Sequence, residues 1–157
     1  MASRSSQAAR LHADGGARGN PGPAGIGVVL TDDSGAVIGE IARGIGEATN
    51  NVAEYSALIA GLELALERGI TEVDVYMDSE LVVSQLRGEW KIKNDRLRAL
   101  AVKARSLLNR FEKKSIQHVP REMNSDADKL ANQGMDLAML DIDAERESPG
   151  QQSFLDK

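Results

Sequence analysis

The chain contains no cysteine, which excludes disulfides, thiolate zinc sites and cysteine nucleophiles together. Its only imidazoles belong to His12 and His118, so the sequence offers almost no nitrogen ligands for a soft or borderline metal. Any metal bound by this protein is therefore predicted to be a hard cation with oxygen ligands.

Long apolar runs are also missing, and none approaches the roughly 18 residues that a membrane-spanning helix needs. The first residues, Met1 to Ser6, contain no apolar stretch of the kind found in secretory signals. With 157 residues, the chain has the usual size of one domain. We therefore expect a single-domain, cytoplasmic protein that does not bind membranes.

The net charge of -5 argues against a protein that coats nucleic acid by bulk attraction. The charges are unevenly distributed, however. The stretch from Arg87 to Lys114 holds ten basic and three acidic residues, a local net charge of +7. This stretch indicates either a solvated helix face or a surface for phosphates, and composition alone does not separate the two.

Acidic residues dominate the end of the chain, where residues 141–157 carry five acids and two bases. The same segment includes Ser148-Pro149-Gly150-Gln151-Gln152, a composition typical of linkers. The predicted organisation is an N-terminal extension at residues 1–7, one folded domain at 8–140 and a flexible acidic tail or linker at 141–157.

Hydrophobic periodicity and turn signals predict an α/β fold with a mixed five-stranded sheet flanked by helices. Three antiparallel strands open the chain, and helical connections then make the fourth and fifth strands parallel. Predicted strands cover Gln7–His12, Ile26–Leu30, Ala36–Ile45, Val73–Met77 and Ile116–Val119. Predicted helices cover Val52–Arg68, Ser79–Leu86, Leu97–Phe111 and Ala127–Leu140.

Four carboxylates, Asp14, Glu54, Asp78 and Asp128, lie near predicted strand ends or helix starts. Each has an ordinary explanation, because Asp14-Gly15 could form a turn and the other three could cap helices. Taken together they indicate more, since Asp14 and Asp78 end strands that can be neighbours. Like charges this close repel unless a cation lies between them, which favours a divalent metal site.

The residues around these acids resemble the four signature blocks of ribonuclease HI, and the blocks occur in the family order. They are Asp14 to Pro23, Thr49 to Glu54, Met77 to Ser79, and Asn124 to Asn132. The resemblance covers about Ala8 to Ala138 and implies the ribonuclease H fold. It also implies endonucleolytic cleavage of the RNA strand of RNA·DNA hybrids, leaving 5′-phosphate and 3′-hydroxyl ends.

The resemblance further implies a site for two Mg²⁺ ions, with Mn²⁺ as a possible substitute. Asp14 would bridge both ions, Asp128 would hold the ion on the nucleophile side, and Glu54 and Asp78 would hold the other. Such a pair of ions about 4 Å apart can activate water and stabilise the leaving oxygen.

For the substrate, the resemblance implies that Asn20 and Asn50 contact the RNA strand and that Gly15 and Gly16 allow the backbone to approach it. Loop geometry and helix capping are equally good explanations of the two asparagines. Two further residues match the family pocket for a DNA phosphate, although both could be ordinary turn residues: Thr49 and Asn94.

Trp90 lies in a short polar loop that replaces the long basic handle of many bacterial members. Its indole could contact the DNA backbone, or it could anchor the loop to the core. The shortened handle predicts weaker and more salt-sensitive binding.

The compact form resembles the archaeal and actinobacterial subgroup, in which an arginine takes the place of a catalytic histidine. We therefore predict that Arg121 is the auxiliary catalytic residue and that His118 is a strand residue with a packing role.

Two alternatives remain at this point: a hybrid-binding module without catalysis, and a related nuclease with another substrate. The four acids argue against the first, and the Thr49 and Asn20 blocks argue against the second. A nucleotide-phosphate loop is excluded because the glycine-rich segment lacks the required Gly-Lys-Ser/Thr ending. We expect a monomer, and the sequence leaves open whether the chain stands alone or belongs to a longer fusion.

Overall fold

The computed structural model describes residues 7–155, with side chains described as far as Arg146. Apart from Gln7, the predicted N-terminal extension lies outside the described residues. None of the helices in the described range is both long and apolar enough to cross a bilayer.

The order of strands and helices agrees with the prediction. The strands are β1 Ala8–Ala17, β2 Gly22–Asp32, β3 Val37–Ala48, β4 Glu72–Met77 and β5 Lys113–His118. The helices are α1 Asn50–Glu67, α2 Glu80–Leu86, α3 Asp95–Leu108 and α4 Ser125–Leu155, with a single 3₁₀ turn at Arg121–Asn124.

The five strands form one mixed sheet in the order β3-β2-β1-β4-β5. The first three strands are antiparallel neighbours, and β4 and β5 run parallel to β1, so the predicted fold class is confirmed. Helix α1 packs on one face through Leu11 and Gly15, and α4 packs on the other face through Gly25 and Gly27. The core between α1 and the sheet includes the fully buried Leu58.

Two boundaries differ from the prediction in ways that matter. Strand β1 continues to Ala17, so Asp14 lies inside a strand paired with β2 and not in a turn. Its pairing with β4, in contrast, stops at His12↔Tyr76. The glycines after Asp14 resemble turn residues, but antiparallel pairing with β2 satisfies their backbone groups and keeps them extended.

Helix α4 does not end at Leu140, and residues 141–155, predicted as a flexible tail, continue it. The residues just after Leu140 include good helix formers such as alanine, glutamate and arginine, which explains why the helix is not broken there. The limits proposed for the folded domain stay predictions.

Glycines create a close contact between α4 and the sheet that the sequence did not predict. A Cβ atom on Gly27 would lie 2.1 Å from the carbonyl oxygen of Ala127, and one on Gly25 would lie 2.2 Å from the backbone nitrogen of Met135. On the helix itself, a Cβ on Gly134 would lie 2.3 Å from the carbonyl oxygen of Arg43. We call these three residues, Gly25, Gly27 and Gly134, the glycine seam. The seam allows the backbone of α4, and with it Asp128, to lie close to the strands.

Candidate active site

All four predicted carboxylates line one solvent-open pocket of about 410 Å³ at the end of the sheet. Asp14 comes from β1, Glu54 from α1, Asp78 follows β4, and Asp128 lies in the first turn of α4. The pocket also includes Gly15, Gly16, Ala17, Arg18, Asn50, Ser79, Arg121, Asn132 and Met135. The fold thus brings the four carboxylates to one pocket, and their role as metal ligands stays a prediction.

Glu54 reaches the pocket because α1 approaches β1 very closely. A Cβ on Gly15 would lie 2.1 Å from the carbonyl oxygen of Ala53, so only glycine permits this packing. Oε2 of Glu54 is buried and has no hydrogen-bond partner in the structure. A buried carboxylate oxygen without a protein partner is costly unless a cation or water satisfies it.

The capping explanations are wrong for two of the acids. Helix α1 is capped by Thr49, whose Oγ1 accepts from the backbone N–H of Val52 at 3.2 Å. Helix α2 is capped by Ser79, whose Oγ accepts from the N–H of Val82 at 3.2 Å. Glu54 and Asp78 are thus not used as helix caps.

Several carboxylates are crowded together in the pocket. Burial, followed by the charge of Asp78 and by hydrogen bonding to Asp128, raises the pKa of Asp14 to about 8. Burial also raises the pKa of Glu54, and the charge of Asp78 adds to the rise, whereas a hydrogen bond with Ser79 opposes it. The folded protein therefore holds these carboxylates in a place where ionisation is unfavourable until a cation compensates.

The donor set fits a hard divalent cation, since it consists of carboxylates around one open pocket and includes the buried, unpartnered Oε2 of Glu54. In the part of the chain whose side chains the structure describes, no group of three or more histidine, cysteine or acidic residues is already arranged to hold a metal ion.

The raised pKa of Asp14 predicts a pH dependence of stability in the absence of metal. The contribution of Asp14 to the free energy of unfolding should be largest below pH 4. It should be lost as pH rises through about 8, because the folded state resists ionisation of this carboxyl. Between pH 5 and pH 8, ionisation of Asp14 should lower the stability of the wild-type protein by an amount on the order of a few kcal/mol. We expect Asp14→Asn not to show this decrease.

Urea denaturation of the two proteins in EDTA at both pH values measures this difference. Comparison with the variant isolates Asp14, because His12, whose pKa burial lowers, titrates in both proteins. Equal losses of stability in the two proteins would contradict the assignment.

Arg121 and His118 lie on different surfaces. Arg121 opens the 3₁₀ turn and lines the carboxylate pocket, where its Nη2 lies 3.7 Å from Oδ1 of Asp128. His118 ends β5 and faces a separate groove of about 800 Å³ that includes Leu86 and Arg105. Arg121 therefore lines the carboxylate pocket and His118 does not, and the catalytic role of Arg121 stays a prediction.

The two predicted RNA-contacting asparagines hold the loop after β1 against α1. Oδ1 of Asn50 accepts from the N–H of Ala17 at 2.8 Å, and Oδ1 of Asn20 accepts from the N–H of Asn50 at 2.9 Å. Asn50 lines the carboxylate pocket, whereas Asn20 lines an adjacent one. Both side chains thus order the rim between the two pockets.

That adjacent pocket, of about 590 Å³, brings together the two residues predicted to grip a DNA phosphate. Thr49 caps α1, and Asn94 caps α3 by accepting from the N–H of Leu97 at 3.0 Å. Two helix N-termini therefore meet there beside Arg96, an arrangement that favours an anion.

Trp90 is 45% exposed, so it is not folded into the core. Its loop is held by a buried relay, in which the hydroxyl of Tyr55 bonds Oε1 of Gln85 at 2.7 Å and Nε2 of Gln85 donates to the carbonyl of Lys91 at 3.3 Å. The relay links the residue after Glu54 to the loop that carries the indole.

Five further residues of the pocket received no individual role from the sequence: Ala17, Arg18, Ser79, Asn132 and Met135. Arg18 pairs with Asp136 at 2.5 Å, and Nδ2 of Asn132 donates to the carbonyl of Asp128 at 2.9 Å. All of them except Met135 belong to the signature blocks, which was the available signal. Met135 lies outside the blocks and reaches the pocket only through the packing of α4.

The sequence matches the family described as "Reverse transcriptase-like" over residues 12–134. A ribonuclease HI of Halobacterium salinarum is 49% identical over 131 residues, which cover 82% of this chain and 66% of that protein. A ribonuclease H of Thiobacillus denitrificans is 36% identical over 139 residues, covering 80% of this chain and 91% of that protein.

Mycobacterial proteins are also similar, among them a bifunctional protein of Mycobacterium tuberculosis that is 53% identical over 129 residues. The alignment covers 82% of this chain, but the chain spans only 35% of the length of that relative.

Solved structures agree with these similarities. The N-terminal RNase H domain of a Mycobacterium tuberculosis protein superposes with a TM-score of 0.84 at 48% identity, covering 87% of this chain and 99% of that one. LC11-RNase H1, isolated from compost and solved in complex with an RNA/DNA hybrid, gives 0.79 at 46% identity and covers 83% and 99%. The chain therefore belongs to the ribonuclease H family, in its type 1 branch.

Proposed function

We propose that the protein hydrolyses the RNA strand of RNA·DNA hybrids in a reaction that requires a divalent metal and leaves 5′-phosphate and 3′-hydroxyl ends. The observation that carries the proposal is the convergence of Asp14, Glu54, Asp78 and Asp128 on one open pocket, with a buried oxygen of Glu54 unpartnered. The similarity to LC11-RNase H1, which was solved with a hybrid, supports this substrate.

The four carboxylates would hold two Mg²⁺ ions, or Mn²⁺ in their place. Asp14 would contact both ions, Asp128 the one on the side of the attacking water, and Glu54 and Asp78 the other. When bound, such ions lower the pKa of water and stabilise charge on the reacting phosphate. The protein contributes the clustered negative charge and the fixed positions of its side chains.

Substrate recognition would use the rim of the pocket. Asn20, Asn50 and the partly exposed backbone at Gly16 would face the RNA strand, where 2′-hydroxyl groups distinguish RNA from DNA. Thr49 and Asn94 would hold a phosphate of the DNA strand at their paired helix N-termini. Trp90 would pack against the DNA backbone.

Cleavage of a labelled RNA·DNA hybrid, with and without Mg²⁺, tests the proposal. Duplex RNA and single-stranded RNA serve as substrate controls, and Mn²⁺ replaces Mg²⁺ in a parallel series. The proposal fails if the hybrid remains intact in Mg²⁺ and Mn²⁺, or if single-stranded RNA is cut as fast. We further propose that the protein acts as a monomer in the cytoplasm, which sedimentation and cell fractionation can test.

Arg121 would contact the scissile phosphate or assist product release, because its guanidinium reaches the pocket and offers several N–H donors to phosphate oxygens. We expect Arg121→Ala to lower kcat by about ten- to hundredfold, with the metal requirement unchanged.

His118→Ala is the matched control for Arg121→Ala. His118 ends β5, shortly before Arg121 in the chain, but it faces the separate groove that includes Leu86 and Arg105. Its kcat should stay within about twofold of wild type at equal folded fraction. A slower His118→Ala enzyme would reverse the assignment.

A further inference from the structure

Asn124, the last residue of the 3₁₀ turn, lies beneath the carboxylate pocket and is only 1% exposed. Its Nδ2 donates to the carbonyl oxygen of Ala13 at 3.0 Å and to Oδ1 of Asp78 at 3.4 Å. We propose that Asn124 is a positioning residue that fixes the Asp78 carboxylate relative to Asp14 for metal binding. This inference rests on the proposed metal-dependent function.

The need for such a residue follows from the sheet. The pairing of β1 with β4 ends at His12↔Tyr76, before the ladder reaches either Asp14 or Asp78. Beyond that point no ladder hydrogen bonds hold β1 and the end of β4 together. The carbonyl of Ala13 accepts from Asn124 instead, and the same nitrogen contacts Asp78. One side-chain amide therefore joins the two strands where their backbone pairing has stopped.

The chemistry of the amide suits this role. Its two N–H groups can serve one carbonyl and one carboxylate simultaneously, and they carry no net charge. A lysine or arginine in the same place would neutralise Asp78 and compete with a bound cation. An aspartate would add another negative charge to a pocket that already holds four carboxylates. A neutral donor orients Asp78 and leaves its charge available to the metal.

The oxygen atom of the Asn124 side chain shows that this arrangement is unfavourable for stability. Oδ1 of Asn124 is buried and has no partner in the structure. Reversing the amide would bring this oxygen against the carbonyl of Ala13, where two acceptors repel, so the observed orientation is the better one. An unsatisfied buried acceptor is unfavourable for stability alone, which favours a role for Asn124 in the site.

Metal binding without substrate tests the proposal. Mn²⁺ is titrated into the full chain, and free Mn²⁺ is followed by electron paramagnetic resonance. We expect Asn124→Ala to raise the Kd for Mn²⁺ about tenfold or more, as is usual when a residue that orients a metal ligand is removed. Raising the Mg²⁺ concentration should then restore much of the lost hybrid cleavage, since the metal ligands themselves are intact.

Leu107→Ala is the control for general destabilisation, because Leu107 is buried on α3, away from the pocket. It should lower stability and leave the Kd for Mn²⁺ within about twofold of wild type. An unchanged Kd in Asn124→Ala would overturn the inference, whereas a wild-type protein that binds no Mn²⁺ would overturn the proposed function instead.

A second measurement uses the unaltered protein, in case Asn124→Ala does not fold. In ¹⁵N-labelled wild type, the side-chain amide protons of Asn124 should exchange slowly and shift when Mg²⁺ binds, because one of their acceptors is Asp78. Rapid exchange, or no shift at saturating Mg²⁺, would refute the proposed role.

Discussion

Asp78→Asn should abolish Mg²⁺-dependent cleavage of the hybrid, with a loss of about a thousandfold or more, while the chain stays folded. The substitution keeps the volume of the side chain and removes the charge that would hold the metal. It also relieves repulsion, since the charge of Asp78 contributes to the raised pKa of Asp14. The variant should consequently be at least as stable as wild type in EDTA.

Asp74→Asn is the matched control for this experiment. Asp74 is exposed on β4, the strand that Asp78 follows, where its Oδ1 accepts from the hydroxyl of Ser115 at 2.6 Å, and it does not line the pocket. Single-turnover cleavage and thermal unfolding of both variants give the comparison. More than about a tenth of wild-type activity in Asp78→Asn would contradict the assigned metal site.

Gly27→Ala should destabilise the protein by about 3 kcal/mol or more and should reduce activity even in the folded fraction. The added methyl group would meet the backbone of α4, at 2.1 Å from the carbonyl oxygen of Ala127 and 2.4 Å from the nitrogen of Ala131. Backbone atoms cannot rotate away, so the helix must move. Asp128, which lies between these two contacts, would move with it.

Gly39→Ala on the neighbouring strand separates this effect from a general intolerance of side chains. The three atoms nearest to a Cβ there would all belong to the side chain of Leu64, with Cδ2 nearest at 2.8 Å, and a side-chain end can turn aside. Urea denaturation should therefore show a small change for Gly39→Ala and a large one for Gly27→Ala. Similar losses, or a loss below about 1 kcal/mol for Gly27→Ala, would refute the importance of the seam.

The order of strands and helices was predictable because it depends on local hydrophobic periodicity and on turn residues. The four carboxylates were predictable because each belongs to a block with its own pattern. Boundaries were less certain, as Asp14 shows: glycines after a strand suggest a turn, and only pairing with β2 reveals that the strand continues. That pairing is a long-range contact and leaves no local signal.

The glycine seam and the positioning role of Asn124 were not predictable for the same reason. Gly27 and Gly134 occur far apart in the chain, and nothing nearby indicates that each faces the backbone of a distant element. Asn124 was visible inside a signature block, but its role depends on where the pairing between β1 and β4 stops. Features that depend on the register of distant strands require the three-dimensional structure.

The position of β5 at the outer edge of the sheet has a consequence for how the protein behaves at high concentration. An edge strand offers unpaired backbone groups to any other strand, which is a common route to aggregation. Here Lys113 and Lys114 are exposed on that strand, so a second copy pairing along it would bring lysines of both copies close together. Repulsion between these lysines should protect the native protein from edge-to-edge pairing of β5 strands at low salt, and added salt should weaken that protection.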